Sequence, residues 1–361
     1  MKNLITATLG TLVFAVTAMT PGTATAGPLK KDRVAAEARW LIHVDVEALL
    51  DSTVGGFLLE HAEQFNIDLD DFDDMKRELG VDPRTDLKSI TLYGTGDVPG
   101  EDAIIVAVTN DRIDQAIEKL LDNDDVPIRR RALNGKPVYL IGGKGDRHYV
   151  SIQPLGAHRR IVVISDDKES FRNALDVIAG DSPAISMGRS NIPADDPQEG
   201  SLVFLSVGDI DAFGDDGPAS QIIRMSDGFT ADLAEVNGVL TGRASVNAES
   251  PETANDISQV LRGLVALGRL MVTQQPELAP LLELADSLNI RTRDSRISIS
   301  IRYDAGELLE KAEQLMRQHG GAGHRHDHDD DWDDDWDDND DDWFDDDDDR
   351  RHRTRHKRSR D

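Results

Sequence analysis

The 361 residues carry 69 Asp and Glu against 40 Lys and Arg, a net charge of −29, and there is no cysteine. Such a charge repels nucleic acid and anionic lipid, which excludes sequence-independent binding to either. The missing cysteine excludes disulfides, a thiol nucleophile and a lipid-modified N-terminal Cys.

The chain opens with Lys2, an apolar run over 4–19 centred on Leu12-Val13-Phe14-Ala15-Val16, a break at Pro21-Gly22 and the small-x-small triplet Ala24-Thr25-Ala26. That three-part order predicts a signal peptide over 1–26, cut between Ala26 and Gly27. The mature chain is then exported, periplasmic or extracellular, with no lipid anchor. No later stretch reads as a membrane-spanning helix. Residues 27–320 retain a charge of −20 and number 294, enough for a large core in one domain or two.

The first unit, 27–180, begins with a strand in which Trp40, Ile42, Val44 and Val46 alternate with His43 and Asp45. Val54, Phe57, Leu58, His61 and Phe65 fall at helical spacing. A second helix follows over 71–79, with Asp70 as its N-cap and Gly80 as its stop. Strands over 88–95 and 102–109 precede a helix over 111–121. Asn134-Gly135 predicts a hairpin turn leading into a strand over 137–141. Two more strands, near Tyr149 and over 160–165, lead into a helix over 168–178.

Residues 181–200, with Pro183, Pro193 and Pro197, read as a linker, and the second unit spans 201–320. It holds a strand over 201–207 and a strand pair, 230–236 and 238–248, around Asn237-Gly238. A long helix opens at Pro251 and another covers 278–288. Paired strands follow over 289–293 and 296–303, and a helix over 305–317 closes the unit. The order echoes the first half, and local wording does too. Arg160-Ile161-Val162-Val163-Ile164-Ser165 parallels Arg296-Ile297-Ser298-Ile299-Ser300-Ile301, and Leu41-Ile42-His43-Val44 parallels Phe204-Leu205-Ser206-Val207. The expected class is α+β: two related units, each an antiparallel sheet with helices packed on one face.

Residues 321–361 hold 18 Asp against 8 Lys and Arg, a net of −10. An Asp run of this kind buries no apolar surface and predicts a disordered tail, Asp/His-rich and then Arg-rich. Its ligand groups are His324, His326 and His328 beside Asp327, Asp329, Asp330 and Asp331. Imidazoles suit zinc, copper or nickel, and the carboxylates suit calcium or magnesium. A divalent cation or a basic protein surface is the partner this tail calls for. No cofactor is required by any motif.

Two segments carry a resemblance. Ala38-Arg39-Trp40-Leu41-Ile42-His43-Val44-Asp45-Val46-Glu47-Ala48-Leu49 is one, and Leu79-Gly80-Val81-Asp82-Pro83-Arg84-Thr85-Asp86-Leu87-Lys88-Ser89-Ile90-Thr91-Leu92-Tyr93-Gly94 is the other. Over about residues 36–180 the chain resembles a group of uncharacterised exported proteins of planctomycete-like bacteria. The resemblance implies an exported α+β protein without an assigned activity or any functional residue to carry over.

Other motifs fall short of chemistry. Gly94-Thr95-Gly96-Asp97-Val98-Pro99-Gly100 lacks the spacing and the following helix of a dinucleotide loop. Asp209-Ile210-Asp211-Ala212-Phe213-Gly214 has Phe213 and Ser220 where calcium ligands are needed. His43 and Asp45 share a strand face and could pair for catalysis, but the second half has Ser206 and Gly208 there. The reading that follows is a non-enzymatic exported binding or scaffolding protein with no catalytic residues and a weak cation-binding tail. The alternatives are a hydrolase using an acidic cleft between the units, lined by His43, Asp45 or His148, and an inhibitor or partner-binding module.

Overall fold

The structure is a computed structural model. It describes residues 27–319 apart from 66, 97–101, 124–126, 134, 144–146, 189, 209–224, 275–282 and 285. The predicted tail, 321–361, and the calcium-like loop at 209–214 lie outside the described residues, as does most of the helix expected over 278–288.

Strand β1 (Trp40–Val44) enters helix α1 (Val46–Leu50) through Asp45, whose side chain caps it at the Ala48 N–H. Ser52 caps α2 (Thr53–Glu60) in the same way, at Gly55. The cap of α3 (Leu69–Glu78) is Asp68, accepting from the N–H groups of Asp70 and Asp71, two residues before the expected Asp70. Leu69 is thereby drawn into the first turn. Gly80, at φ 79°, stands just past its end as predicted. The short α4 (Pro83–Asp86) starts on Asp82 with Pro83 in its first turn. There follow β2 (Leu87–Gly94), β3 (Ile104–Asn110), α5 (Ile113–Leu121), β4 (Ile128–Leu133), β5 (Lys136–Ile141), β6 (His148–Pro154), β7 (Arg159–Ser165) and α6 (Lys168–Ala179).

The second half runs β8 (Ser201–Val207), β9 (Ser226–Val236), β10 (Val239–Ala248), α7 (Pro251–Gln274), β11 (Asn289–Arg293), β12 (Arg296–Asp304) and α8 (Ala305–His319). Asn237 and Gly238, at φ 53° and 74°, make the two-residue hairpin loop that the Asn-Gly pair predicts.

The described strands form one antiparallel sheet in the order β11-β12-β10-β9-β8-β1-β2-β3-β7-β6-β5-β4. The two halves meet at the β1–β8 pair, with His43 opposite Phe204. Outward from that pair, β1-β2-β3-β7-β6 on one side repeats as β8-β9-β10-β12-β11 on the other. The two echoed strand pairs, β1 with β8 and β7 with β12, occupy equivalent places in this order. The first half adds β5 and β4 at its outer edge. The α+β class holds, and the two sheets are joined into one by the central ladder.

The first half carries helices on both faces, where one was expected. On one face α6 packs Phe171, Ala174, Leu175 and Val177 against Leu41, Tyr93, Ile104 and Val163. On the other, Leu49 and Leu50 of α1 and Ile117 of α5 cover Val44, Ile90, Ala107 and Ile164. The reason lies in the strands: β3 and β7 are apolar at successive positions, so both their faces need cover. In the second half Ala254 and Ile257 of α7 cover Val246 and Ile297 on the face that Trp40 and Ile42 share. The opposite face there is polar, with Thr230, Asp232, Arg243, Ser245 and Ser298.

The segment 181–200, expected as a linker, is packed. Ala184, Ile185 and Ile192 are buried, and Ala35 pairs with Ala184. Pro193 accepts a hydrogen bond from the Ser206 hydroxyl at 3.3 Å. The Asp195 carboxylate holds Arg296 at 2.7 Å and Thr230 at 3.2 Å. Its small residues and prolines let it lie flat across the sheet, where a free linker would expose Ile185 and Ile192 to water.

Candidate functional site

The strand alternation that puts His43 out of phase with Trp40 and Ile42 also sets its neighbours. Thr91 on β2 and Phe204 on β8 stand directly opposite it. Its Nδ1 is 2.9 Å from Thr91 Oγ1 and its Nε2 is 3.1 Å from the Gly27 carbonyl oxygen. A carbonyl can only accept, so Nε2 carries the proton and Nδ1 accepts from the Thr91 hydroxyl. Burial drives the imidazole pKa down to about 4, against a smaller upward pull from the Gly27 carbonyl. His43 is therefore neutral at physiological pH.

Asp45 lies just past the strand, 3% exposed. Its carboxylate accepts the Ala48 N–H at 3.0 Å and the Gly27 N–H. Burial raises its pKa most. The two N–H donors oppose that rise, and Glu47 and Asp51 add to it. Glu47 gives one carboxylate oxygen to Lys88 at 2.9 Å. Its other oxygen is buried with no hydrogen-bond partner among the described residues. Asp45 and His43 thus both hold Gly27, one at its nitrogen and the other at its oxygen, and neither directly bonds the other among the contacts described.

Of the three residues named for a cleft, His43 and Asp45 lie together at Gly27 and His148 does not join them. His148 sits on β6, four strands from β1, which is about 19 Å at ordinary strand spacing. It also points to the opposite face: His148 pairs with Ile141, whereas His43 shares its face with Thr91, Val106 and Val163. Where the two halves meet there is a hydrogen-bonded ladder between β1 and β8.

A second polar centre lies at α4, between α3 and β2. Asp86, 2% exposed, accepts the Asp82 N–H at 2.8 Å, Asn110 Nδ2 at 2.6 Å and Arg112 at 3.3 Å. Asp82 accepts from Arg84 Nε at 2.8 Å and pairs with Lys76 at 3.1 Å. Burial alone would raise the Asp82 carboxyl, but the hydrogen bonds from Arg84 and Lys76 hold it below the usual range. These bonds pin the turn between α3 and β2.

Among the described residues no three His, Asp or Glu side chains are placed to hold a metal. The tail ligands His324, His326, His328, Asp327, Asp329, Asp330 and Asp331 lie outside them. Gly94 ends β2 as a packing glycine: a Cβ there would stand 2.6 Å from the Trp40 indole nitrogen. Sequence reasoning had missed Thr91 and Gly27 as the partners of His43. Thr91 becomes visible only with the β1–β2 register. Gly27 carried a signal, as the first residue after the expected cut.

No family model matches the chain, and no curated protein matches it. Among solved structures it is similar to TP0453 of a spirochete in crystal form III, with a TM-score of 0.43 and 10% identity over 80% of this chain and 99% of that one. Crystal form I of the same protein gives a TM-score of 0.39 and 10% identity over 81% and 99%. Among the described residues no helix is long and apolar enough to cross a membrane.

Proposed function

We propose that this is an exported, non-enzymatic binding or scaffolding protein that engages an apolar surface of a partner protein. The observation that carries this reading is on α7. Val260, Leu264 and Leu267 stand 46%, 40% and 54% exposed at i, i+4 and i+7, a row along one side of the helix. Helix-in-groove recognition reads anchors at this spacing. His43, Asp45 and Asp86, by contrast, are occupied in holding the chain to itself. The Asp-rich tail adds a weak site for divalent cations through its imidazoles and carboxylates.

The test is photo-crosslinking from position 264 in the native host, then reconstitution of the captured pair from purified components. Leu264→Glu with Leu267→Glu should abolish the complex and leave thermal unfolding unchanged. A complex indifferent to both substitutions would move the binding surface elsewhere. Turnover of ester, phosphate-ester or glycoside substrates that vanishes in Asp45→Asn would replace this reading with the hydrolase.

A further inference from the structure

Gly27 lies against polar and acidic groups of the β1–α1 junction and against the backbone of β2. Gly27 is held at both its polar atoms, the N–H by Asp45 and the carbonyl by His43. Its Cβ position is tight as well: a methyl there would lie 3.0 Å from the Lys88 carbonyl oxygen and 3.0 Å from Ser89 Cβ. A larger residue would need β2 to give by a few tenths of an ångström. Three carboxylates gather in this place, Asp45, Glu47 and Asp51, and they interact with one another through space. Among the described residues, the cation acting in this cluster is Lys88, which is paired to Glu47. Among the described residues, the partners of Asp45 are the neutral N–H groups of Ala48 and Gly27, and the second Glu47 oxygen has none. A buried carboxylate without a countercharge is expensive.

We propose that this cluster is a binding site for the chain's own new N-terminus, with Asp45 receiving the α-ammonium group that removal of residues 1–26 creates on Gly27. The inference rests on the export reading, since it needs a cut between Ala26 and Gly27. In that step a signal peptidase adds one water across the Ala26–Gly27 amide. The carbonyl carbon of Ala26 takes the hydroxyl and leaves as a carboxylate. The Gly27 nitrogen takes a proton, and a second from solvent makes it an ammonium. A neutral N–H beside Asp45 thereby becomes a cation at the same position. Processing then completes a charge-assisted contact that the precursor lacks. Residues 27–38, which cross the sheet and bury Val34, Ala35 and Ala38, are fastened at their first residue. Maturation is thus coupled to closure of the core.

The experiment uses the chain 27–361, released in vitro from a fusion so that Gly27 is its first residue. The Gly27 amine is followed by pH-dependent acetylation with acetic anhydride and by nitrogen NMR. Asp45 and neutral His43 contact Gly27, while Glu47 and Asp51 act on Asp45, and Lys88 on Asp51, through space, so the attraction is expected to outweigh the burial. Its pKa should stand at least about one unit above the ordinary 7.7–8.0 of an α-amino group, slowing acetylation near pH 7 about tenfold relative to the urea-unfolded chain. Asp45→Asn, which keeps an acceptor for Ala48, should restore the ordinary rate. A chain that retains Thr25 and Ala26 should melt at a lower temperature than the one beginning at Gly27. An ordinary pKa with the acetylation rate of the unfolded chain would overturn the proposal, and it needs no variant to be seen. N-terminal sequencing of the exported protein is the separate arm. A different natural first residue would remove the export premise even if Gly27 docks in vitro, and a natural Gly27 with an ordinary amine would sink the docking alone.

Discussion

His43 makes stability depend on pH in a window where few other groups titrate. In the folded protein its pKa lies near 4, against 6.5 when unfolded. Between these values the unfolded chain binds a proton that the folded chain refuses, so stability falls as the pH falls from 6.5 towards 4. The gap is worth about 3 kcal/mol at 1.36 kcal/mol per pH unit, with about 2 kcal/mol lost by pH 5. His43 is 3% exposed, so solvent screening does not dilute the effect. Asp45 works the other way, because burial raises its pKa and its protonation favours the folded state. The assay is therefore a difference: urea unfolding of the wild type and of His43→Gln at intervals between pH 7.5 and 5. Gln can still donate to the Gly27 carbonyl but takes up no proton. The wild-type curve should steepen relative to the variant by about 2 kcal/mol over that range. Parallel curves, or an imidazole that titrates near 6.5 by NMR, would refute the account of the buried neutral ring.

Three further outcomes are expected. Protease nicking within 181–200 should leave the two pieces associated on gel filtration and separable only in denaturant, because the β1–β8 ladder and the buried Ile185 and Ile192 hold them. Gly208→Ala should destabilise the protein by about 3 kcal/mol, measured by urea unfolding, because its Cβ would come within 2.0 Å of the Asn191 carbonyl oxygen and the backbone on both sides must shift. Calcium at about 1 mM, or zinc or copper at about 1 μM, should change the emission of Trp332, Trp336 and Trp343. Deletion of 321–361 should abolish that change without altering the melting of the body; flat emission with no heat of binding would leave the tail a solubilising role alone.

The boundaries of most elements were legible because each strand or helix writes its period into ten residues or fewer. Trp40, Ile42 and Val44 against His43 is one such signature, and Gly80 and Asn237-Gly238 stop their elements by backbone conformation alone. What covers a face is not written locally. The alternation in β1 suggested a strand with one face turned to water, yet His43 is buried. The cover on its side comes from residues 27–38, and from α6 and 181–196, well over a hundred positions further on. A strand buried on both faces ordinarily reads as a continuous apolar run. β1 breaks that rule at His43 because Thr91 and the Gly27 carbonyl satisfy both ring nitrogens. The equivalent strand β8 shows the contrast. It meets the same sheet with Ser206 and Gly208, and Ser206 bonds to Pro193. A histidine and an aspartate are thus needed at β1 and its exit alone, where Gly27 is fastened. The same polar pair that suggested chemistry on sequence grounds is accounted for by the segment it anchors.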